Sequence, residues 1–294
     1  MGLYKYTTFE NVKHLLDGTI RFTQPKAFND PFELLPEMHI SKVLSGFSIS
    51  VLSPQTEQNL GLIPESEESR HSDDIASREL LDELNSKLGI LCLTRNADSL
   101  LMWSHYADEY KGVVVEFDEE HEFFTGLFPI MYRKNRPRLD LALLIEKDNV
   151  LRVSDISYKP YQWEYENEFR ITRSLDDCNK VGVCPRGFDI YTMDIPLECI
   201  KGITMGERMP IEQQRYLLSK IQETDVSLGL AAISNKGYTF RPEPIKYNTP
   251  LSKMAPTMSP RTAHIFKELN CELGEIARWM IKTHPLSKVA IKTL

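Results

Sequence analysis

The sequence predicts an α+β fold with a central, mainly antiparallel sheet flanked by helices, and three features predict it. Strand, helix and strand patterns follow one another within the first two dozen residues. Short apolar runs at residues 89–94 and 113–117 stand between helix-forming segments, as buried strands do. Residues 159–171 alternate with a period of two, the signature of a strand with two unlike faces. The expected organisation is a single domain over residues 1–249 with a mobile insertion near 40–72. A proline-rich connector and a helical extension follow over 250–294.

Leu3-Tyr4-Lys5-Tyr6 is short, apolar and aromatic, and reads as the first strand. Thr7, with Glu10 three residues later, forms a capping-box pattern, and Phe9, Val12, Leu15 and Leu16 give one apolar helical face. Gly18 closes that helix, and residues 19–23 alternate as a second strand with Ile20 and Phe22 on one side and Arg21 and Thr23 on the other. Pro25 and Pro31 then forbid regular structure, and Asn29-Asp30-Pro31 is a turn signal. Two readings stand here: a rigid loop plugged by Phe28 and Phe32, or a pocket rim made by Arg21, Thr23, Asn29 and Asp30.

Ser, Glu, Gln and Gly dominate residues 53–72, a composition that does not favour a packed core. Residues 73–88 read as a helix with Ile75, Leu80, Leu81 and Leu84 apolar. Asp98 or Ser99 caps the next helix, in which Trp103, Tyr106 and Ala107 share a face and His105 falls elsewhere. A lone His on a short helix commonly serves as a structural hydrogen-bonder. Trp103, His105 and Tyr106 together also suit the wall of a site for a flat heteroaromatic ring.

A strand is expected around Ile130-Met131-Tyr132, then a solvated basic patch of Arg133, Lys134, Arg136 and Arg138, then a helix over 139–147. Later strands are expected at 188–195, 200–205 and 238–240, with a helix at 211–224, and Pro242, Pro244, Pro250, Pro256 and Pro260 read as a proline-rich connector after the last strand. In the terminal helix Phe266, Leu269, Leu273, Ile276, Ala277 and Met280 form one stripe, packed back on the body.

In residues 159–171 the period of two places Trp163, Tyr165, Asn167, Phe169 and Ile171 on one face and Glu164, Glu166, Glu168 and Arg170 on the other. A solvated acidic face opposite a buried aromatic one is the ordinary arrangement. The chemical alternative aims Glu166 and Glu168 into a cleft bounded by Lys159 and Arg170, where carboxylates stabilise a developing cation or accept a proton.

The 294 residues contain no run of about 18 uncharged apolar residues, so no membrane span is expected. The N-terminus lacks the basic and apolar regions of a secretion signal, which makes a cytoplasmic location the default expectation. Five scattered cysteines, never in a C-x-x-C pair, argue against a disulfide framework and a zinc site. A net charge of −7 with no long basic run disfavours broad nucleic-acid binding. Nucleotide P-loop, dinucleotide G-x-G-x-x-G, H-E-x-x-H, G-x-S-x-G and EF-hand patterns are all missing.

Four segments together resemble the bacterial family known as domain of unknown function 2971. They are residues 3–6, residues 28–33 (F-N-D-P-F-E), residues 102–108 with Lys111-Gly112, and Lys159 with residues 163–170 (W-E-Y-E-N-E-F-R). The order and type of the strand at Tyr4 to Tyr6, the G-T-I-R-F-T strand and the Glu166-x-Glu168 strand are also similar to the ADP-ribosyltransferase superfamily. Here Lys5 stands where that superfamily has a histidine or arginine, and Leu93-Thr94-Arg95 stands for its Ser-Thr-Ser.

This second resemblance implies an enzyme that transfers ADP-ribose or cleaves NAD, a toxin or phage-defence role, NAD as substrate, and an unidentified macromolecular acceptor. It implies Glu168 as the carboxylate beside the ribosyl cation and Glu166 as the group that orients or deprotonates the acceptor. The nucleotide is expected to meet Tyr4, Lys5, Tyr6, Arg21, Thr23, Asn29, Asp30, Trp103, His105, Tyr106, Lys159, Trp163 and Arg170. Two alternatives remain: a ligand-binding or protein-interaction module without turnover, and a metal-dependent nuclease or phosphodiesterase, for which no ligand cluster is visible.

Overall fold

The computed structural model describes residues 2–39, 48–53, 56–62, 73–140 and 150–291. The fold class is α+β, built on a large, mainly antiparallel sheet with helices. Two compact units divide the chain: unit one comprises residues 1–18, 95–120 and 195–294, and unit two comprises 19–94 and 121–194.

Unit one places five strands in the order Phe240–Lys246, Ser227–Ile233, Ile200–Met205, Val113–Phe117 and Leu3–Thr7. Neighbours are antiparallel except Ile200–Met205 with Ser227–Ile233. That parallel pair is joined through helix Ile211–Ile221, the crossover such pairing requires. The Val113–Phe117 strand buries four of its five side chains, which is why it reads as an unbroken apolar run.

Helix Phe9–Leu16 is capped by Thr8, whose hydroxyl accepts from Asn11 N–H at 3.3 Å, one residue later than the capping box predicts. Gly18 follows at φ 89°, as its role in closing the helix demands. The final strand is not confined to 238–240 but runs over Phe240–Lys246. It passes through Pro242 and Pro244, which the proline count assigns to a connector; a strand at the end of the order tolerates missing donors.

The expected single terminal helix is two, Ala263–Phe266 and Glu272–Thr283. Phe266 and Ala277 are buried, whereas Leu269 and Ile276 from the same stripe are exposed. Gly274 permits the close approach, since a Cβ there would collide with the Leu269 carbonyl. No helix among the described residues is long and apolar enough to cross a membrane.

In unit two, Glu168–Ser174 pairs antiparallel with Leu88–Thr94 on one side and with Phe128–Pro129 on the other. A second sheet orders Asn179–Val183, Asp189–Asp194 and Thr19–Phe22. The core gathers Leu34, Met38, Leu80, Leu84, Leu88, Ile90, Phe128, Val153, Ile156 and Tyr158. Helix Asp73–Lys87 supplies Leu80 and Leu84 to it, as its apolar positions predict.

Within the expected insertion, Ser48–Ser53 and Thr56–Leu62 pair antiparallel, while residues 40–47, 54–55 and 63–72 lie outside the described residues. Of the helix expected over 139–147, Leu139 and Asp140 instead belong to strand Arg138–Asp140, and the remainder also lies outside them. Arg136 departs from the solvated basic patch: its guanidinium donates to the Leu35 carbonyl at 2.6 and 2.9 Å and to the Pro36 carbonyl at 3.1 Å.

Candidate functional site

The stretch expected to be one strand from 159 to 171 is broken. Strand Tyr158–Pro160 leads into a 3₁₀ turn over Tyr161–Glu166, Asn167 takes the left-handed conformation (φ 42°, ψ 53°), and strand Glu168–Ser174 begins. Asn is among the few non-glycine residues that adopt this conformation readily. The period-two faces therefore do not exist before Glu168, and burial is inverted relative to the solvated-acid reading. Glu166, Glu168 and Arg170 are buried, Glu164 and Asn167 are exposed, and Trp163, Tyr165 and Phe169 are only half-buried.

The turn brings Glu166 and Glu168 onto one cation. Lys159 Nζ lies 2.6 Å from Glu166 Oε2, 2.7 Å from Glu168 Oε2 and 3.1 Å from Glu33 Oε1. Arg170 Nε donates to Glu168 Oε1 at 2.7 Å, and its Nη2 pairs with Glu33. Three carboxylates thus meet two cations, all within a buried cluster. The Phe28 ring centroid lies 4.9 Å from the Arg170 guanidinium carbon, and the Trp163 centroid lies 5.6 Å from Lys159 Nζ, adding cation–π attraction at both ends.

Neighbouring strands fix the frame. Arg170 faces Cys92 and Glu168 faces Thr94 in the ladder. The Thr94 hydroxyl donates to the Glu166 carbonyl, and the Tyr132 hydroxyl accepts from Glu168 N–H at 2.8 Å. Asp30 Oδ1 accepts from Phe32 N–H at 2.9 Å, so an Asx turn presents Glu33.

Electrostatics follow from burial against pairing. Burial pushes the Glu168 carboxyl up, but the charges of Arg170 and Lys159 outweigh it and hold the pKa down at about 2, helped by hydrogen bonds from Arg170 and Cys92. Burial disfavours the Lys159 ammonium, yet Glu168 and Glu33 raise its pKa above the lysine norm. Arg170 moves well upward for the same reason. Burial, then the Glu168 charge, raises the Cys92 thiol. Glu168 is therefore a fixed anion and not a proton donor at neutral pH.

The structure gathers Lys159, Glu166, Glu168, Arg170 and Trp163 from the expected site. Asp30 is buried and turns the chain toward Glu33, Asn29 is exposed, and Phe32 is exposed instead of acting as a plug. Arg21 and Thr23 belong to unit two, where Arg21 pairs with Thr192 and Thr23 bridges Ile90.

Tyr4, Lys5, Tyr6, Trp103, His105 and Tyr106 belong to unit one. There Trp103 is buried, its ring 5.4 Å edge-on to Tyr6, 6.4 Å stacked on Tyr110 and 5.9 Å edge-on to Phe240. Tyr6 accepts from Ser99 N–H at 3.0 Å, so both rings are committed to packing. His105 is exposed on its short helix. Sequence reasoning missed Glu33 and Cys92. The signal for Glu33 was the turn chemistry of Asp30-Pro31; nothing in the run around Cys92 marked it out.

Residues 102–171 match the model of DUF2971, a protein family of unknown function. The DUF2971 stretch contains two of the four segments that carry the resemblance, 102–112 and 159–170, and four cluster members, Lys159, Glu166, Glu168 and Arg170. Glu33 lies outside it. No curated protein and no solved structure matches the chain.

Proposed function

We propose that the chain is an ADP-ribosyltransferase-like or NAD-cleaving enzyme whose chemistry centres on Glu168. The observation that carries this reading is the convergence of Glu166 and Glu168 on Lys159, at 2.6 and 2.7 Å, with Arg170 at 2.7 Å from Glu168 favouring its ionised form. Cleavage of the nicotinamide–ribose bond sends the bonding electron pair to the pyridine nitrogen, releasing neutral nicotinamide and leaving an oxocarbenium ion. A permanently ionised carboxylate stabilises that cation. The acceptor oxygen then bonds to the anomeric carbon and gives its proton to Glu166. Five free thiols and NAD as substrate fit a cytoplasmic setting, and a toxin or phage-defence role follows from the same resemblance.

A second reading rests on the pairing itself. Glu33, Glu166 and Glu168 are all engaged by Lys159 and Arg170 in a buried cluster, which suits a network that locks unit two in a chain that binds without turnover.

Nicotinamide release from NAD by purified protein separates these readings, with Glu168→Gln alongside and protein or nucleic-acid acceptors offered in parallel. Release that vanishes in Glu168→Gln while the variant melts cooperatively supports the enzyme. No release from the folded wild-type protein under any condition leaves the binding module standing.

A further inference from the structure

Unit one holds an open groove of about 280 Å³ that the chemistry of Glu168 does not involve. Leu100, Tyr110, Arg208, Ile233, Tyr238 and Phe240 line it. The chain reaches this arrangement through a costly bend. Asp108, Glu109 and Tyr110 follow one another at φ 45°, 51° and 72°, a region that costs an L-residue roughly 1–2 kcal/mol.

The surroundings over-determine the bend. Tyr110 N–H donates to the Trp103 carbonyl at 3.3 Å, Gly112 N–H to Ala107 at 2.7 Å, and Arg208 N–H to the Tyr110 carbonyl at 3.0 Å. Gly206 is required beside it, because a Cβ there would collide with that same carbonyl. Strain maintained in this way collects at binding sites.

The bend turns Tyr110 into a flat wall. Its ring stacks on Trp103 at 10° between planes, its hydroxyl donates to the Leu100 carbonyl at 2.9 Å, and Phe240 tilts against it at 6.0 Å. Tyr238 stands on the rim, 93% exposed. Of the two charged residues in the lining, Glu207 and Arg208, the one left to a ligand is positive. Glu207, also in the lining, is neutralised by Arg261 and accepts from Ile233 N–H at 2.9 Å. Arg208 is exposed, 5.6 Å from the Tyr110 ring centroid, and in no ion pair among the described residues.

We propose that this groove binds a small planar aromatic molecule carrying a negative charge, with its ring against Tyr110, Phe240 and Tyr238 and its anion on Arg208. The volume of about 280 Å³ sits at the lower end of ligand pockets, roughly 300–1,000 Å³, which suits one ring system with one charged group and not a dinucleotide. The site is independent of the NAD reading, and its test uses different residues and a different readout.

The test is calorimetric titration of the full chain with adenosine 5′-monophosphate and with 4-hydroxyphenylacetate. These arms separate a nucleotide source of the ring and anion from an aromatic-acid source. Adenosine and inorganic phosphate each supply half of the chemistry. The expected result is binding of one anionic ring, at least tenfold weaker binding of either half, and at least a tenfold loss in Arg208→Ala. Tyr238→Ala weakens binding several-fold. Both variants change exposed side chains, so their melting curves should match the wild type. Failure of both anionic rings to bind, equal binding of an uncharged ring, or unchanged affinity in Arg208→Ala overturns the proposal.

Discussion

Replacing Lys159 with methionine tests the cluster most directly, because the side chain stays unbranched and only one atom shorter while losing its charge. In the native protein three carboxylates face Lys159 and Arg170; in Lys159→Met the same three face Arg170 alone. Removing one partner of a buried ion pair costs about 3–5 kcal/mol, since the charge left behind is neither solvated nor paired. For a body of this size each kcal/mol lowers Tm by about 2–4 °C, so a fall on the order of 6–20 °C is expected. The pH dependence gives a second signature. Native Glu168 has its pKa depressed to about 2 from the usual 4.5, so its contribution is present above the usual value and is lost as pH falls through the range between them. In Lys159→Met burial is less opposed, the Glu168 pKa moves up, and the variant gains relative stability on acidification. Urea unfolding of both proteins, at neutral pH and at about pH 5, reads both effects. A gap below about 1 kcal/mol at neutral pH, or one that widens in acid, refutes the reasoning.

Four further outcomes are expected. Between pH 4.5 and about 2 the wild-type unfolding midpoint should fall, because Glu168 takes up its proton in the unfolded chain while it stays ionised in the folded one, and a flat profile there contradicts the assignment. Asn167→Val should cost about 1–2 kcal/mol in chemical denaturation, because a β-branched residue is forced left-handed, while Asn167→Gly stays within about 1 kcal/mol of the wild type. Trp103→Ala should cost about 3–5 kcal/mol, as its ring is 1% exposed and packed on Tyr6, Tyr110 and Phe240. Gly206→Ala should lower stability by about 1–3 kcal/mol or more through overpacking against the Tyr110 carbonyl, and loosen ring binding in the groove with it.

How much of this was legible in the sequence depends on whether a residue's environment is set locally. Residues 89–94 and 113–117 read correctly as strands because burial on both faces leaves an apolar run that needs no partner to be recognised. The first helix was legible through its apolar face, although Thr8 and not Thr7 caps it. Pro242 and Pro244 misled because a proline excludes a central strand but not one at the end of the order. The terminal stripe misled because the split between Phe266 and Glu272 resets the helical phase.

The cluster was legible only as the alternative to the ordinary arrangement, for a deeper reason. Rules that score charged residues singly send them to water, whereas Glu166, Glu168 and Arg170 are buried because each charge meets its opposite. Part of that pairing is local. Lys159 and Arg170 against Glu166 and Glu168 balance two charges with two, and all four lie inside the DUF2971 stretch. Glu33 comes from outside it and joins both cations. Local pairing therefore makes the two-by-two part of the cluster readable from the sequence, whereas Glu33 reaches its cations through the Asx turn at Asp30, which no spacing rule connects to Lys159 or Arg170.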